Sequence, residues 1–244
     1  ISHEVMSLAG VLELNKLICF YDSNGISIDG EIKDWYKDDI KLRCQSYGWN
    51  VIGEIDGHNR DEINQAIVAA KESNKPTMIV CKTSIGYGAG KKQDSESSHG
   101  APLGEEVLVE LRKNLDWKYK PFEIPESVYA DWDFKEKGKN LEENWKTICA
   151  DHAKNDPEKA ALLKRLMSGD LPQNFMEAFD KHIEVLKENS DSIATRKCSQ
   201  MILEFLKEHL PELIGGSADL SGSNNTITKA SSSVNSNSSG NYIY

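Results

Sequence analysis

Long apolar runs are missing from this sequence. No stretch approaches the roughly 18 residues of a membrane-spanning helix, and the first residues lack the basic-then-apolar pattern of a secretory signal. Basic residues are the minority, 29 Lys and Arg against 39 Asp and Glu, which argues against a broad electropositive footprint for nucleic acid. An anionic ligand would need a local site. Cysteine is sparse: Cys19, Cys44, Cys81, Cys149 and Cys198 are scattered, odd in number and without a CxxC pair. That pattern speaks against a disulfide framework and a zinc site and for a reducing compartment, the cytoplasm. What is present, 39% hydrophobic and 28% charged residues over 244 positions, suits soluble α/β or α+β material. At about 150 residues per domain the length fits one or two domains.

Neither Ile1, which is not Met, nor Tyr244, which follows a Ser/Asn tract, reads as a natural terminus. Lys16 to Tyr21 (KLICFY) is a short apolar run without alternation, the pattern of a strand covered on both faces of a parallel sheet. Trp49 to Ile55 and Thr77 to Thr83 read as second and third strands. Between them, Asn59 and Glu62 have capping-box spacing, with Ile63, Ile67 and Ala70 on one helical face and Lys75-Pro76 as the stop. Strand, helix, strand is a βαβ unit, which predicts a doubly wound parallel layer. A Gly-rich loop from Ser84 to Gly104 is long enough to suggest that it binds something. A charged helical stretch then runs to about Lys187, with Trp117, Trp132 and Trp145 as packing anchors and Pro121, Pro125, Pro157 and Pro172 as divisions. A new unit starts near Ser192, with a helix to about Leu206 and a strand at Glu212 to Gly215. It leads into Ser221 to Gly240, where 12 of 20 residues are Ser or Asn, the composition of a mobile loop.

Three polar clusters follow predicted strands: Asp22 to Ile26, Thr83 to Gly104, and Gly215 to Asp219. Ligands of open α/β sheets bind at the carboxyl ends of the strands. Asn24, before Gly25, is either a turn residue or a neutral oxygen ligand for Mg²⁺. The run Gly86 to Gly90 fits neither a GxGxxG nor a P-loop template and leaves a flexible basic loop, with Lys91 and Lys92, that could clamp an anion. His99 is either an exposed bystander or, among small neighbours, an imidazole facing a ligand. Arg196 and Lys197 open a helix where positive charge opposes the dipole. They form a solvated face or a phosphate site.

Eight strings, in order, resemble the transketolase family: ISHE at Ile1, SLAG at Ser7, YDSNGISIDG at Tyr21, YGW at Tyr47, DGHN at Asp56, SHGAPLG at Ser98, ATRK at Ala194 and GGSADL at Gly215. The resemblance spans nearly the whole chain. It implies an α/β protein of parallel sheets flanked by helices, the thiamine-diphosphate-binding fold, as two partial domains joined by a helical linker. Residues 1–120 would be part of the diphosphate-binding domain, 121–190 the excursion and linker, and 191–244 the start of the pyrimidine-binding domain. It implies transfer of a two-carbon ketol unit from a ketose phosphate to an aldose phosphate, as in the pentose phosphate pathway, with thiamine diphosphate and Mg²⁺, Ca²⁺ or another divalent cation. The family's homodimer shares its active sites between subunits; neither nucleic acid nor membrane is implied as a partner.

By match to the family motifs, Asn24 would bind metal and diphosphate, and the Ile26 carbonyl would bind metal. His99 would contact diphosphate and substrate hydroxyls and serve catalysis. Arg196 and Ser223 would hold the substrate phosphate, Asp219 would lie near the cofactor, and Glu4 near the dimer interface. Ser23 stands where the family has a second Asp, and Gly222 where it has Pro. The family's Gly-Asp-Gly would precede Ile1 and its activating glutamate would follow Tyr244, so the chain alone is expected to be an inactive fragment. A dihydroxyacetone synthase-like transferase and a non-catalytic interaction module remain the alternatives.

Overall fold

The computed structural model describes residues 1–188 and 192–244, in two compact units, Ile1–Ile124 and Pro125–Tyr244. The expected boundary between 190 and 191 lies outside the described residues. The first unit runs α1 (Ser2–Val11), β1 (Ile18–Ser23), β2 (Ile26–Ser27), β3 (Gly30–Glu31), α2 (Ile40–Ser46), β4 (Asn50–Asp56), α3 (Arg60–Glu72), β5 (Thr77–Lys82), two short 3-10 turns, and α4 (Glu105–Asn114). β1, β5 and β4 form a parallel sheet in that order.

Side chains of β5 alternate between two hydrophobic clusters. Met78 and Val80 join Ala9 of α1, Cys44 of α2 and Trp49 on one face; Ile79 and Cys81 join Ala66 and Ala70 of α3 on the other. Helices therefore cover both faces, as the βαβ reading predicts. β5 is the strand buried on both faces; β1, at the edge of this chain's sheet, packs Cys19 and Tyr21 on the first cluster and Ile18 on the second, with Phe20 53% exposed. A bulge interrupts β4, where the pairing with β5 shifts between Ile52 and Ile55. Gly53 makes it possible: its φ is +104°, and a Cβ there would stand 2.6 Å from the Val80 carbonyl oxygen.

The start of α3 follows its predicted cap with one difference. Asn59 Oδ1 accepts the amides of Asp61 (3.0 Å) and Glu62 (3.3 Å). Glu62 turns to the Asn59 side chain (3.0 Å) and the Asp56 amide (2.8 Å), because the Asn59 amide is already donated to the Asp56 carbonyl. The cap thus joins α3 to the end of β4. Asn59→Ala should lower the stability of this unit by about 0.5–2 kcal/mol. Urea titration checks it, with Glu72→Ala at the exposed end of α3 as the control that stays within about 0.5 kcal/mol.

The second unit contains α5 (Glu126–Trp132), α6 (Lys135–Asn155), α7 (Pro157–Ser168), α8 (Phe175–Glu188), α9 (Thr195–His209), β6 (Gly215–Gly216), α10 (Ser221–Asn224), β7 (Val234–Asn235), β8 (Ser238–Ser239) and β9 (Tyr242–Ile243). Prolines punctuate it as read: Pro125 precedes α5, Pro157 opens α7, and Pro172 precedes α8. Trp132 and Trp145 are not packing anchors; they are 80% and 57% exposed. Burial centres instead on Phe175 of α8 and Phe205 of α9, with His182 and His209 stacked on Phe205 at 4.7 and 4.1 Å.

Arg165 of α7 makes a bidentate pair with Glu212 at 2.8 and 3.0 Å, holding that carboxyl below the usual carboxylate range. Glu212 therefore lies in a turn, and the strand expected from Glu212 begins only at Gly215. The Ser/Asn tract is not a bare loop either. It carries α10, the β7–β8 hairpin and a buried Thr228, because its hydroxyls and amides bond to one another and to α9.

Candidate functional site

β1 and β5 end side by side, with Asp22 paired to Cys81 and Ser23 to Lys82. The Thr83 hydroxyl donates to the Asp22 carboxylate just past the last pair. From the end of β1 the chain turns through Asn24, whose Oδ1 accepts the Ile26 amide at 2.9 Å, and enters the small β2–β3 hairpin. Asn24 and Ile26 are half-buried. Both readings of Asn24 therefore meet in one geometry: the carboxamide oxygen closes a turn and keeps a second lone pair. With the Ile26 carbonyl it provides neutral hard oxygens of the type Mg²⁺ takes. Among the described residues no group of three or more His, Cys, Asp or Glu could hold a metal. A cation here would complete its shell with phosphate oxygens, water or other residues. Burial first, then the Asp22 charge, pushes the Cys81 thiol up.

The Gly-rich segment leaves β5 at the same edge, where His58 holds its first residue. His58 Nε2 accepts the Ser84 amide at 2.9 Å, and its ring stacks on Tyr87 at 3.9 Å and 13°. The glycines pack the segment against α4. Ala89 is fully buried, a Cβ on Gly90 would run into the Glu110 carboxyl, and Asn114 Nδ2 donates to the Gly88 carbonyl at 2.8 Å. Lys92 Nζ donates to the Pro102 carbonyl at 3.3 Å. Lys92 is thereby engaged, while Lys91 stays exposed. Two 3-10 turns, Gly90–Lys92 and Glu96–Ser98, take the place of a structureless loop. His99 follows the second turn; its amide donates to the Glu96 carbonyl at 2.9 Å, and its exposed ring makes no hydrogen bond among the described residues. Glu4 is exposed.

Arg196 and Ser223 lie in the second unit. α9 starts at Thr195 with no side-chain cap and no acidic residue in its first turn. Arg196 is exposed, and its guanidinium has no hydrogen bond or ion pair among the described residues, whereas Lys197 donates to Gln200 Oε1 at 2.8 Å. Gln200 in turn donates to the Ile227 carbonyl at 2.7 Å, and Glu204 accepts the Lys229 amide, so α9 is tied to the segment after α10. Ser223 is exposed in α10, and Asp219 is exposed with φ +56°.

Two groups escaped the sequence reading. His58 sits inside the DGHN string, but its partners Ser84 and Tyr87 are far along the chain. Lys207 and Tyr242 carried no local signal. Lys207, 8% exposed, bonds Ser231 Oγ at 3.1 Å and the Asn241 carbonyl and side chain at 3.2 Å, and burial pushes its ammonium down.

Residues 1–172 match the family described as "Transketolase, thiamine diphosphate binding domain". Transketolase 1 of Escherichia coli (strain K12) is 46% identical over 100% of this chain and 37% of that protein. The transketolase of Buchnera aphidicola subsp. Schizaphis graminum is 48% identical over the same shares. Among solved structures, transketolase from Leishmania mexicana superposes with a TM-score of 0.85 at 33% identity, covering 98% of this chain and 36% of that one. Transketolase from Campylobacter jejuni subsp. jejuni gives 0.82 at 33% identity, covering 100% and 36%. The chain spans about 37% of the length of the curated relatives it matches.

Proposed function

The chain belongs to the transketolase family, and on that premise we propose that it is part of a ketol transferase. The enzyme would move a two-carbon unit reversibly from a ketose phosphate to an aldose phosphate, in the cytoplasm, as a homodimer with shared sites. The observation that carries this reading is the Asn24 turn at the carboxyl end of β1, beside the end of β5, within a stretch that matches a thiamine-diphosphate-binding family. When bound, thiamine diphosphate supplies the carbanion and electron sink for breaking and remaking the C–C bond.

The residues of this chain bind and orient. Asn24 Oδ1 and the Ile26 carbonyl would hold a divalent cation, preferably Mg²⁺, against the diphosphate. The turn fixes both oxygens before the ligand arrives, which lowers the ordering cost of binding. His99, with a free ring, would contact the diphosphate and orient or deprotonate substrate hydroxyls. Arg196 and Ser223 would hold the sugar phosphate. An unpaired guanidinium at an uncapped helix start suits a dianion, which meets the charge and the dipole together. The division into 1–120, 121–190 and 191–244 as diphosphate domain, linker and pyrimidine domain is part of the same proposal.

The test is cofactor-dependent turnover by the complete gene product. With xylulose 5-phosphate and ribose 5-phosphate it should form a ketose phosphate two carbons longer than ribose 5-phosphate. The activity should vanish after chelation and return with Mg²⁺ and thiamine diphosphate. No turnover under any of these conditions would overturn the reading.

A further inference from the structure

α10 is a single turn of Ser, Gly, Ser and Asn with no side-chain cap at Leu220. A helix this short and of this composition does not hold itself. Gly222 adds backbone freedom at the position where the family resemblance has Pro. Something outside the turn must hold it, and the neighbouring contacts identify what does.

Tyr242 of β9 is fully buried. Its hydroxyl donates to Ser221 Oγ at 2.7 Å and lies 2.6 Å from Thr226 Oγ1. A phenol has one proton, so Thr226 is the donor of the second bond. One hydroxyl thus clasps the first residue of α10 and the second residue after its end, and the Thr226 amide closes the loop onto the Ser221 carbonyl at 3.2 Å. The ring is fixed in turn. β9 pairs with β6, the Tyr242 amide donates to the Ser232 carbonyl at 2.9 Å, and Lys207 Nζ sits 5.3 Å from the ring centre. Ser223 lies between the two clasped residues and is exposed.

We propose that Tyr242 is a positioning residue for Ser223: it orders α10 through Ser221 and Thr226 and so sets affinity for the phosphate of phosphorylated sugars. The proposal deepens the ketol-transferase reading and rests on it.

The experiment uses the complete gene product with hydroxypyruvate, a ketol donor without phosphate, and compares ribose 5-phosphate with glycolaldehyde as acceptor. Tyr242→Phe keeps the ring and removes both bonds; Thr226→Val removes one and leaves the tyrosine intact. Both should raise KM for ribose 5-phosphate, Tyr242→Phe by roughly three- to tenfold, with kcat and the glycolaldehyde kinetics unchanged. An unchanged KM for ribose 5-phosphate in both variants overturns the proposal. So does an equal loss on both acceptors, which would mean general structural damage. If the unsubstituted protein transfers to neither acceptor, the ketol-transferase reading itself fails; that result is distinct because it precedes any substitution.

Discussion

In the complete gene product, Asn24→Ala should weaken binding of thiamine diphosphate with Mg²⁺ by at least about tenfold, since even partners outside a metal's own ligand set are worth roughly 10- to 100-fold in affinity. The substitution removes two things together, a neutral oxygen ligand and the acceptor of the Ile26 amide. Asn24→Ser separates them, because a serine hydroxyl can close the same kind of turn without supplying the carboxamide oxygen. Calorimetric titration should find both variants impaired while the fold, carried by β1, β5 and β4, survives. Wild-type affinity in the serine variant would make Asn24 a turn residue only.

The second large effect concerns Arg196. A hydrogen bond to a charged group is worth about 1.5–3 kcal/mol, or roughly a tenfold to hundredfold change. Arg196→Ala should raise KM for phosphorylated sugars by that factor and leave glycolaldehyde nearly unaffected. The structure adds a second signature. Arg196 has no protein partner among the described residues and opposes the dipole of α9, so its removal should not lower the melting temperature. Loss of phosphate affinity together with undiminished thermal stability identifies a binding residue. Equal losses on both acceptors, with a lowered melting temperature, would mean that Arg196 supports structure.

Legibility followed the range of the forces involved. β5 could be read because its middle, Met78 to Cys81, is apolar without alternation, as a strand buried on both faces requires, and α3 because its cap and its apolar face are local. KLICFY reads as a covered strand and is one in part: Cys19 and Tyr21 pack on one face and Ile18 on the other, while Phe20 is exposed at an edge of this chain's sheet. Trp132 and Trp145 misled because size predicts burial only where a neighbouring surface exists, whereas Trp117 is half-buried, edge-on to Tyr119. Of the candidate residues, Asn24 and Arg196 were visible as a turn signal and as misplaced charge. The His58 stack on Tyr87 and the Tyr242 clasp join residues 29 and 16–21 positions apart, and no periodicity encodes such pairs.

The Gly53 bulge has a consequence for how β4 can be changed. Up to Ile52 the strand follows one phase, and from Ile55 it follows the opposite one, so Ile52 and Ile55 both face α3 although they are an odd number of residues apart. Glu54 is free to meet Lys41 of α2 at 3.7 Å. Removing the single glycine would close the bulge: Glu54 alone would oppose Val80, Ile55 would stay opposite Cys81 beneath α3, and the carboxyl edge from Asp56 onward would keep its rung. The extra residue therefore does not set the level at which β4 ends beside Lys82; it bends the strand locally and turns Glu54 toward α2.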